Sequence, residues 1–368
     1  MAKNFSAIPP EARRTPEHFT LRIPDQDIID FRNLLKLSRI GPETYYNRQE
    51  NGQFGLLRKW LVQAKDALLK SDWRSVEDRI NKFPNFTSHV NKPQGGSVVI
   101  HFIALFSNMP SAKPVIWLHG WPGSFLEFLP ILDLLMTKYT PDTLPYHVVV
   151  PSLPGFGLSD DVCPVDAEPD IDTAAAILHE LMLDLGFGGG YVASGGDIGS
   201  IIAKNMSHRA ECKAVHVNLM LSAPTDPEIK AEYYSSPGES EHLQSPLALL
   251  AWMGEKYQEW VDPRHPLSLE SILDVVSFYW LTSSFPRSVY PYRRHATNTG
   301  MLGMSKDTPF GYSYFSREVA FLPKKWIEEN YPKLVFYRAH DKGGHFAAFE
   351  QPESFLNDLE DFLRSVSS

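Results

Sequence analysis

One aspartate of this 368-residue chain is bracketed by glycines in a way that indicates chemistry. Gly195 and Gly199 lie two residues to either side of Asp197, between a short apolar segment and a predicted helix. This spacing is typical of a nucleophile elbow, a sharp strand-to-helix turn that exposes one side chain at the end of a sheet. An isolated Gly-x-Asp-x-Gly is also compatible with a simple helix N-cap.

An aspartate at the elbow changes the chemistry that the turn can support. A carboxylate that attacks a saturated carbon forms an ester, which water can hydrolyse to regenerate the side chain. A serine attacking the same carbon would form an ether and stop after one turnover. Asp197 therefore predicts substrates with an electrophilic sp3 carbon, such as epoxides or alkyl halides.

A histidine and one of two candidate acids complete a predicted catalytic triad, in the chain order nucleophile, acid, histidine. His345 lies in a glycine-rich loop between the last predicted strand and the last predicted helix. The acid that orients a catalytic imidazole has two candidates. Glu318, which follows a predicted strand at 310–315, is favoured, and Asp341, four residues before His345, is the alternative.

Two backbone N–H groups are predicted to hold the developing oxyanion. One belongs to Ile198, directly after the elbow aspartate, and the other to Trp121 in the turn at residues 119–124. Loss of one such donor typically costs about 2.7–4 kcal/mol of transition-state stabilisation. His119 in the same turn is interpreted as a structural hydrogen-bonding residue rather than as a base.

The elements that must position these residues follow from the alternation of apolar segments with helical periodicity. Buried strands are predicted at 98–106, 114–119, 146–150, 191–194, 214–219, 310–315 and 334–340. Helices of 10–15 residues separate most of them, which indicates a parallel sheet covered on both faces. The predicted fold class is therefore α/β, with one helical insertion.

The pattern divides the chain into three predicted parts. Residues 1–95 form an N-terminal helical arm that packs on the core, because short helices cannot build a core alone. Residues 96–221 and 295–368 form the α/β core. Residues 222–294, where the alternation stops, form a helical lid.

Composition narrows the classes of function. The net charge is −9 and the basic residues are scattered, so we expect no nucleic-acid partner. The two cysteines, Cys163 and Cys212, imply neither a disulfide framework nor a zinc site. The N-terminal residues contain no apolar run of signal-peptide or membrane-spanning length, so a soluble cytoplasmic protein without a membrane span is expected.

Several longer motifs resemble the epoxide hydrolases of the microsomal type, in the soluble branch without a membrane anchor. They occupy residues 19–25, 73–74 and 83–86 in the arm, 119–128 (His-Gly-Trp-Pro-Gly-Ser-Phe-Leu-Glu-Phe), 195–200, 245–252, 279–280, 284–287 and 343–348. The resemblance implies an α/β-hydrolase fold with a lid, and a homodimer. It places the nucleophile on Asp197, the base on His345 and the acid on Glu318.

The family also uses two lid tyrosines that hydrogen-bond the epoxide oxygen. The resemblance places one of them on Tyr292, with Tyr290 the less favoured register. The segment between 219 and 245 is shorter than the family pattern and gives no convincing match for the second. Tyr233 or Tyr234 could substitute for it, or the site could operate with one phenol.

The predicted function is hydrolysis of epoxides, a small-molecule substrate class, to vicinal diols without metal or organic cofactor. A haloalkane dehalogenase would use the same ester chemistry but needs side-chain N–H donors for the halide, and Ile198 has none. A second alternative is a binding protein of the same fold that has lost turnover with its shortened lid.

Overall fold

The computed structural model describes residues 4–50, 54–161, 171–220, 245–289 and 303–366. Nine strands in these ranges form one sheet. They are β1 (Glu17–Phe19), β2 (Asn85–Asn91), β3 (Ser97–Leu105), β4 (Lys113–Leu118), β5 (Tyr146–Pro151), β6 (Tyr191–Gly195), β7 (Cys212–Val217), β8 (Phe310–Arg317) and β9 (Leu334–Gly344).

The strand order in the sheet is β1-β2-β3-β5-β4-β6-β7-β8-β9. Pairing is parallel from β5 through β9 and antiparallel among β1, β2, β3 and β5. The apolar run of Val148, Val149 and Val150 is fully buried in β5, as expected for a strand covered on both faces. The predicted α/β fold with a mostly parallel sheet is confirmed.

Helices cover the sheet. The α-helices in the described ranges are α1 (Asp25–Leu37), α2 (Arg58–Lys70), α3 (Trp73–Asn81), α4 (Leu129–Lys138), α5 (Ile171–Asp184), α6 (Asp197–Met206), α7 (Pro246–Glu259), α8 (Leu269–Leu281), α9 (Lys324–Asn330), α10 (Ala347–Glu350) and α11 (Pro352–Ser365). Short 3-10 helices occur at Tyr46–Arg48 and Phe125–Phe128. None of the helices in the described ranges is long and apolar enough to cross a membrane.

The N-terminal arm differs from its purely helical prediction. Besides α1, α2 and α3 it contributes β1 and β2, and β2 pairs with β3 along its whole length. These strands lack a continuous apolar run: β1 has three residues, and in β2 the buried Phe86, Ser88 and Val90 alternate with the less buried Thr87 and His89. Period-two patterning of this kind belongs to the antiparallel edge of a sheet.

The described part of the predicted lid, residues 245–289, contains α7 and α8. Both helices contact α1 and α2 of the arm. Gly254 allows the closest approach, since a Cβ there would lie 2.5 Å from the Trp60 ring. Arg79 of the arm adds an ion pair to Glu270 and another to Asp274. The two predicted domain boundaries at residues 222 and 294 lie outside the described residues.

The carboxyl ends of the parallel strands meet at one edge of the sheet. The turn at 119–124 follows β4, Asp197 follows β6 and Glu318 follows β8. His345 follows β9, which runs to Gly344 and so includes residues that the sequence predicted as loop. This edge is where ligands bind in open α/β sheets.

Candidate active site

The elbow places Asp197 in a backbone conformation that non-glycine residues rarely adopt. Its φ is +47°, at the junction of β6 and α6. The flanking glycines are required by close backbone contacts. A Cβ on Gly195 would lie 2.4 Å from the Gly199 carbonyl oxygen, and one on Gly199 would lie 2.2 Å from that of Leu118. The glycine spacing seen in the sequence is therefore a steric requirement.

Two backbone N–H groups bind the Asp197 carboxylate. Trp121 N donates to Oδ1 at 2.9 Å, and the N–H of Ile198 also donates to the carboxylate. Gly120 makes room for this contact, because a Cβ there would lie 2.3 Å from Asp197 Cβ. Burial raises the pKa of Asp197, but His345 and the two N–H donors outweigh it and hold the pKa below its ordinary value.

His345 lies between two carboxylates. Its Nδ1 donates to Glu318 Oε1 at 2.6 Å, and its Nε2 lies 3.5 Å from Asp197 Oδ2. His345 and Glu318 are both buried. Asp341, the alternative acid, is exposed, and its carbonyl accepts a hydrogen bond from Ser316 Oγ at 2.9 Å. The structure thus brings Asp197, His345 and Glu318 together.

The charge of His345 follows from these neighbours. Burial lowers the pKa of the imidazole, but the negative charges of Glu318 and Asp197 outweigh this and hold it well above the ordinary value. The two carboxylates therefore favour the protonated form of the imidazole. Trp260 limits its movement, since its carbonyl accepts from His345 N at 2.8 Å and its ring meets the imidazole edge to face at 5.1 Å.

Glu350 holds the loop that carries His345, a role not predicted from the sequence. Its Oε2 accepts from Gly344 N at 3.0 Å and from Asp262 N at 2.8 Å, and its Oε1 accepts from Phe346 N at 3.1 Å. Burial raises the pKa of Glu350 to about 7. The available signal was an acidic residue five positions after the histidine in an otherwise apolar segment.

Two buried tyrosines support the turn that carries Trp121. Tyr257 Oη donates to the Pro122 carbonyl at 3.0 Å, and Tyr279 Oη donates to the Gly123 carbonyl at 2.5 Å. Helices α7 and α8 therefore hold the turn at residues 119–124 in place. The four tyrosines considered for the epoxide oxygen, Tyr233, Tyr234, Tyr290 and Tyr292, lie outside the described residues.

The arrangement contains the groups needed for covalent hydrolysis. A carboxylate stands at a strained elbow and accepts from two backbone N–H groups, and an imidazole with its own carboxylate partner lies beside it. Within the described ranges, no three His, Cys, Asp or Glu side chains are grouped so that they could hold a metal ion.

Comparison with known proteins places this geometry in context. The family described as "Epoxide hydrolase N terminus" matches residues 16–128, and "Alpha/beta hydrolase family" matches residues 115–358. The structure of the Aspergillus niger epoxide hydrolase is 40% identical, with a TM-score of 0.87 over 98% of this chain and 99% of that one. A Dothistroma septosporum protein named "Putative epoxide hydrolase" is 38% identical over 98% of this chain and 93% of its own length. Pig "Epoxide hydrolase 1" is 28% identical over 94% and 88%.

Proposed function

Because the chain belongs to the epoxide hydrolase family of α/β-hydrolases, we propose that it hydrolyses epoxides through a covalent glycol ester on Asp197. The observation that carries the proposal is the elbow carboxylate, bound through Oδ1 by Trp121 N, with Oδ2 3.5 Å from His345 Nε2. Because Trp121 N binds Oδ1, we assign Oδ2 as the attacking atom and Oδ1 as the carbonyl oxygen of the ester.

The first step forms the ester. Oδ2 of Asp197 attacks one ring carbon from the side opposite the ring oxygen, and the carbon–oxygen bond breaks as the ester bond forms. The ring oxygen receives a proton from Tyr292, whose neutral phenol is a donor at pH 7. This tyrosine stays a prediction, because it lies outside the described residues.

Ester formation also changes the base. It removes the negative charge of Asp197, one of the two charges that raise the pKa of His345, so the imidazole becomes able to release its proton, which replaces the one that Tyr292 gave to the ring oxygen. Neutral His345 then takes a proton from water as the water oxygen attacks Asp197 Cγ. The oxyanion forms on Oδ1, held by the N–H groups of Trp121 and Ile198. Collapse of the intermediate releases the diol, which takes its proton back from His345.

The test separates the two steps by removing the base. His345→Gln incubated with styrene oxide is expected to gain the mass of one epoxide molecule, with the adduct on the peptide that contains Asp197. The matched control is the double variant Asp197→Asn/His345→Gln, which should stay unmodified. An unmodified His345→Gln protein that still produces diol would overturn the scheme, as would an adduct at another residue.

Two alternatives, a haloalkane dehalogenase and a binding protein without turnover, are tested with the wild-type protein and an Asp197→Asn variant. Ile198 offers no side-chain N–H to a halide, so haloalkanes are expected to release no halide above the Asp197→Asn control. Wild-type protein should produce diol well above that control, whereas a binding protein would not. A homodimer and a cytoplasmic location remain predictions, which light scattering and cell fractionation would examine.

A further inference from the structure

A small cavity lies beside the elbow. Its volume of about 20 Å³ is enough to hold one water molecule. Asp197 and His345 line it together with Glu127, Phe128 and Asn218. The cavity thus connects the proposed ester carbon and the proposed base with a third titratable side chain that the mechanism above does not use.

Glu127 is buried, and only one of its oxygens has a structural function. Oε1 accepts from Ser124 N at 3.1 Å and completes a capping box for the 3-10 helix at Phe125–Phe128. The chain leaves space for this oxygen, since a Cβ on Gly123 would lie 1.4 Å from it. Among the described residues, Oε2 has no hydrogen-bonding partner in the protein. A capping role therefore uses half of the carboxyl group.

The charge state of Glu127 fits a position beside Asp197. Burial raises its pKa to about 8, the positive charge of His345 opposes this, and the negative charge of Asp197 adds to it. The carboxyl is therefore mostly protonated at pH 7 and mostly ionised at pH 9, where both of its oxygens are hydrogen-bond acceptors.

The hydrolytic water has a geometric requirement that this cavity meets. Its oxygen must face Asp197 Cγ while one proton is directed to His345 Nε2, so the second proton needs another acceptor. We propose that Glu127, in its ionised form, is this acceptor: Oε2 accepts a hydrogen bond from the second O–H and positions the cavity water for attack on the ester. The inference rests on the proposed function.

Atoms balance in this step. The water oxygen bonds to Cγ, and one proton passes to His345 and then to the departing diol oxygen. The second proton stays on the added oxygen, hydrogen-bonded to Glu127, until the Asp197 carboxylate is regenerated. That proton then passes to His345 and restores the charged imidazole of the free enzyme. Glu127 does not touch the epoxide and is a positioning residue.

Glu127→Gln is the decisive variant because it changes one atom of the pair. The amide oxygen still accepts from Ser124 N, as glutamine does in capping boxes. The amide nitrogen replaces the other oxygen and turns an acceptor into a donor. In rapid-quench experiments with styrene oxide at pH 9, where Glu127 is ionised, the rate of ester formation should stay within about twofold, while ester hydrolysis should slow about 10- to 100-fold. The ester should then accumulate in the mass spectrum of an enzyme that retains His345.

Ser124→Ala is the matched control. It removes the hydroxyl that accepts from Leu126 N at 3.3 Å but keeps the backbone N–H that binds Glu127. Both rates should match those of the wild-type enzyme. Glu127→Asp, which withdraws the acceptor by one methylene, provides a second variant and should also slow only the hydrolysis.

The outcomes separate this inference from the proposed function. If His345→Gln forms no ester, the proposed function fails. If that ester forms but Glu127→Gln and Glu127→Asp hydrolyse theirs at the wild-type rate, only the role of Glu127 is wrong. Equal slowing of both steps in these variants would also overturn it, since a structural disturbance has no reason to act on hydrolysis alone.

Discussion

At the scale of single residues, the site keeps the carboxylate of the proposed nucleophile charged. Asp197 is stabilised by backbone donors and by the His345 imidazolium, whose own charge depends on Glu318. Asp197 and His345 therefore stabilise each other's charge, and a loss of charge on one changes the other. In the proposed mechanism, alkylation of Asp197 is such a loss, so the imidazole becomes a base only after the ester exists.

Glu318→Gln tests this dependence. The amide keeps the shape but removes the charge that raises the pKa of His345 and orients its Nδ1. Steady-state diol formation should fall on the order of 10²–10⁴-fold. Asp341→Asn, at the exposed alternative acid, should retain wild-type turnover within about twofold. If Asp341→Asn is the slower enzyme, the assignment of the acid is reversed.

At the scale of elements, the turns determine where the reacting atoms lie. At the elbow, the backbones of β6, α6 and the end of β4 approach so closely that Gly195 and Gly199 have no room for a Cβ. The loop of His345 is held by Glu350, which binds backbone N–H groups on both sides of the histidine. Both arrangements depend on contacts to backbone groups, which local sequence patterns do not reveal.

Gly199→Ala should destabilise the protein, although the same change inside a helix normally stabilises it by about 1 kcal/mol. The new Cβ would lie 2.2 Å from the Leu118 carbonyl oxygen and 2.6 Å from that of His119, so β4 or α6 must move. We expect a loss of about 2 kcal/mol in the free energy of unfolding, measured in urea. Gly189→Ala, whose Cβ meets no atom within 4 Å, should change it by less than about 0.5 kcal/mol. Equal effects at both positions would refute the steric account.

Glu350→Ala should lower both stability and turnover. Three backbone N–H groups lose their acceptor, and the loop of His345 loses its attachment to Asp262 N. The expected loss is about 2–4 kcal/mol in the free energy of unfolding. Glu353→Ala, an exposed glutamate at the start of α11, is the control and should unfold like the wild type. A stable Glu350→Ala enzyme with full turnover would show that the loop is held by other contacts.

At the scale of the whole molecule, buried titratable groups set the dependence of stability on pH. Burial lowers the pKa of His101 to about 3 and those of His119 and His216 to about 4, so unfolding takes up protons below pH 6.5. Burial raises the pKa of Glu127 to about 8 and that of Glu350 to about 7. At a pH above the ordinary pKa of glutamate, the unfolded chain has lost these two protons, so unfolding releases them.

Between about pH 6.5 and 8 the histidine contributions are complete, and the groups with raised pKa outnumber Lys204, whose pKa burial lowers to about 8 and which acts in the opposite direction. The folded state holds protons there that the unfolded chain has lost, so the free energy of unfolding should decrease as the pH rises. His345, whose pKa is also raised, acts in the same direction. Urea unfolding at several pH values measures the slope, and Glu127→Gln should reduce it. A slope that rises, or one unchanged in the variant, would contradict the assignment.

Local sequence patterns determined much of this protein. The glycine spacing around Asp197 predicted the elbow, because only glycine fits beside those carbonyls. Apolar runs such as 146–150 predicted the central strands to within a few residues, because strands buried on both faces need continuous hydrophobicity. The order of Asp197, Glu318 and His345 along the chain predicted the triad itself.

Tertiary structure decided what depends on distances between residues far apart in the chain. It brought Glu318 rather than Asp341 to His345, 27 positions away, because β8 and β9 end at the same edge of the sheet. It added β1 and β2 to that sheet. These strands are short or rich in polar residues, so the sequence alone did not predict them, and they are recognised only by their pairing with each other and with β3. It also gave Glu350 and Glu127 their positions, because a carboxyl group acquires its partners and its pKa only when the chain folds around it.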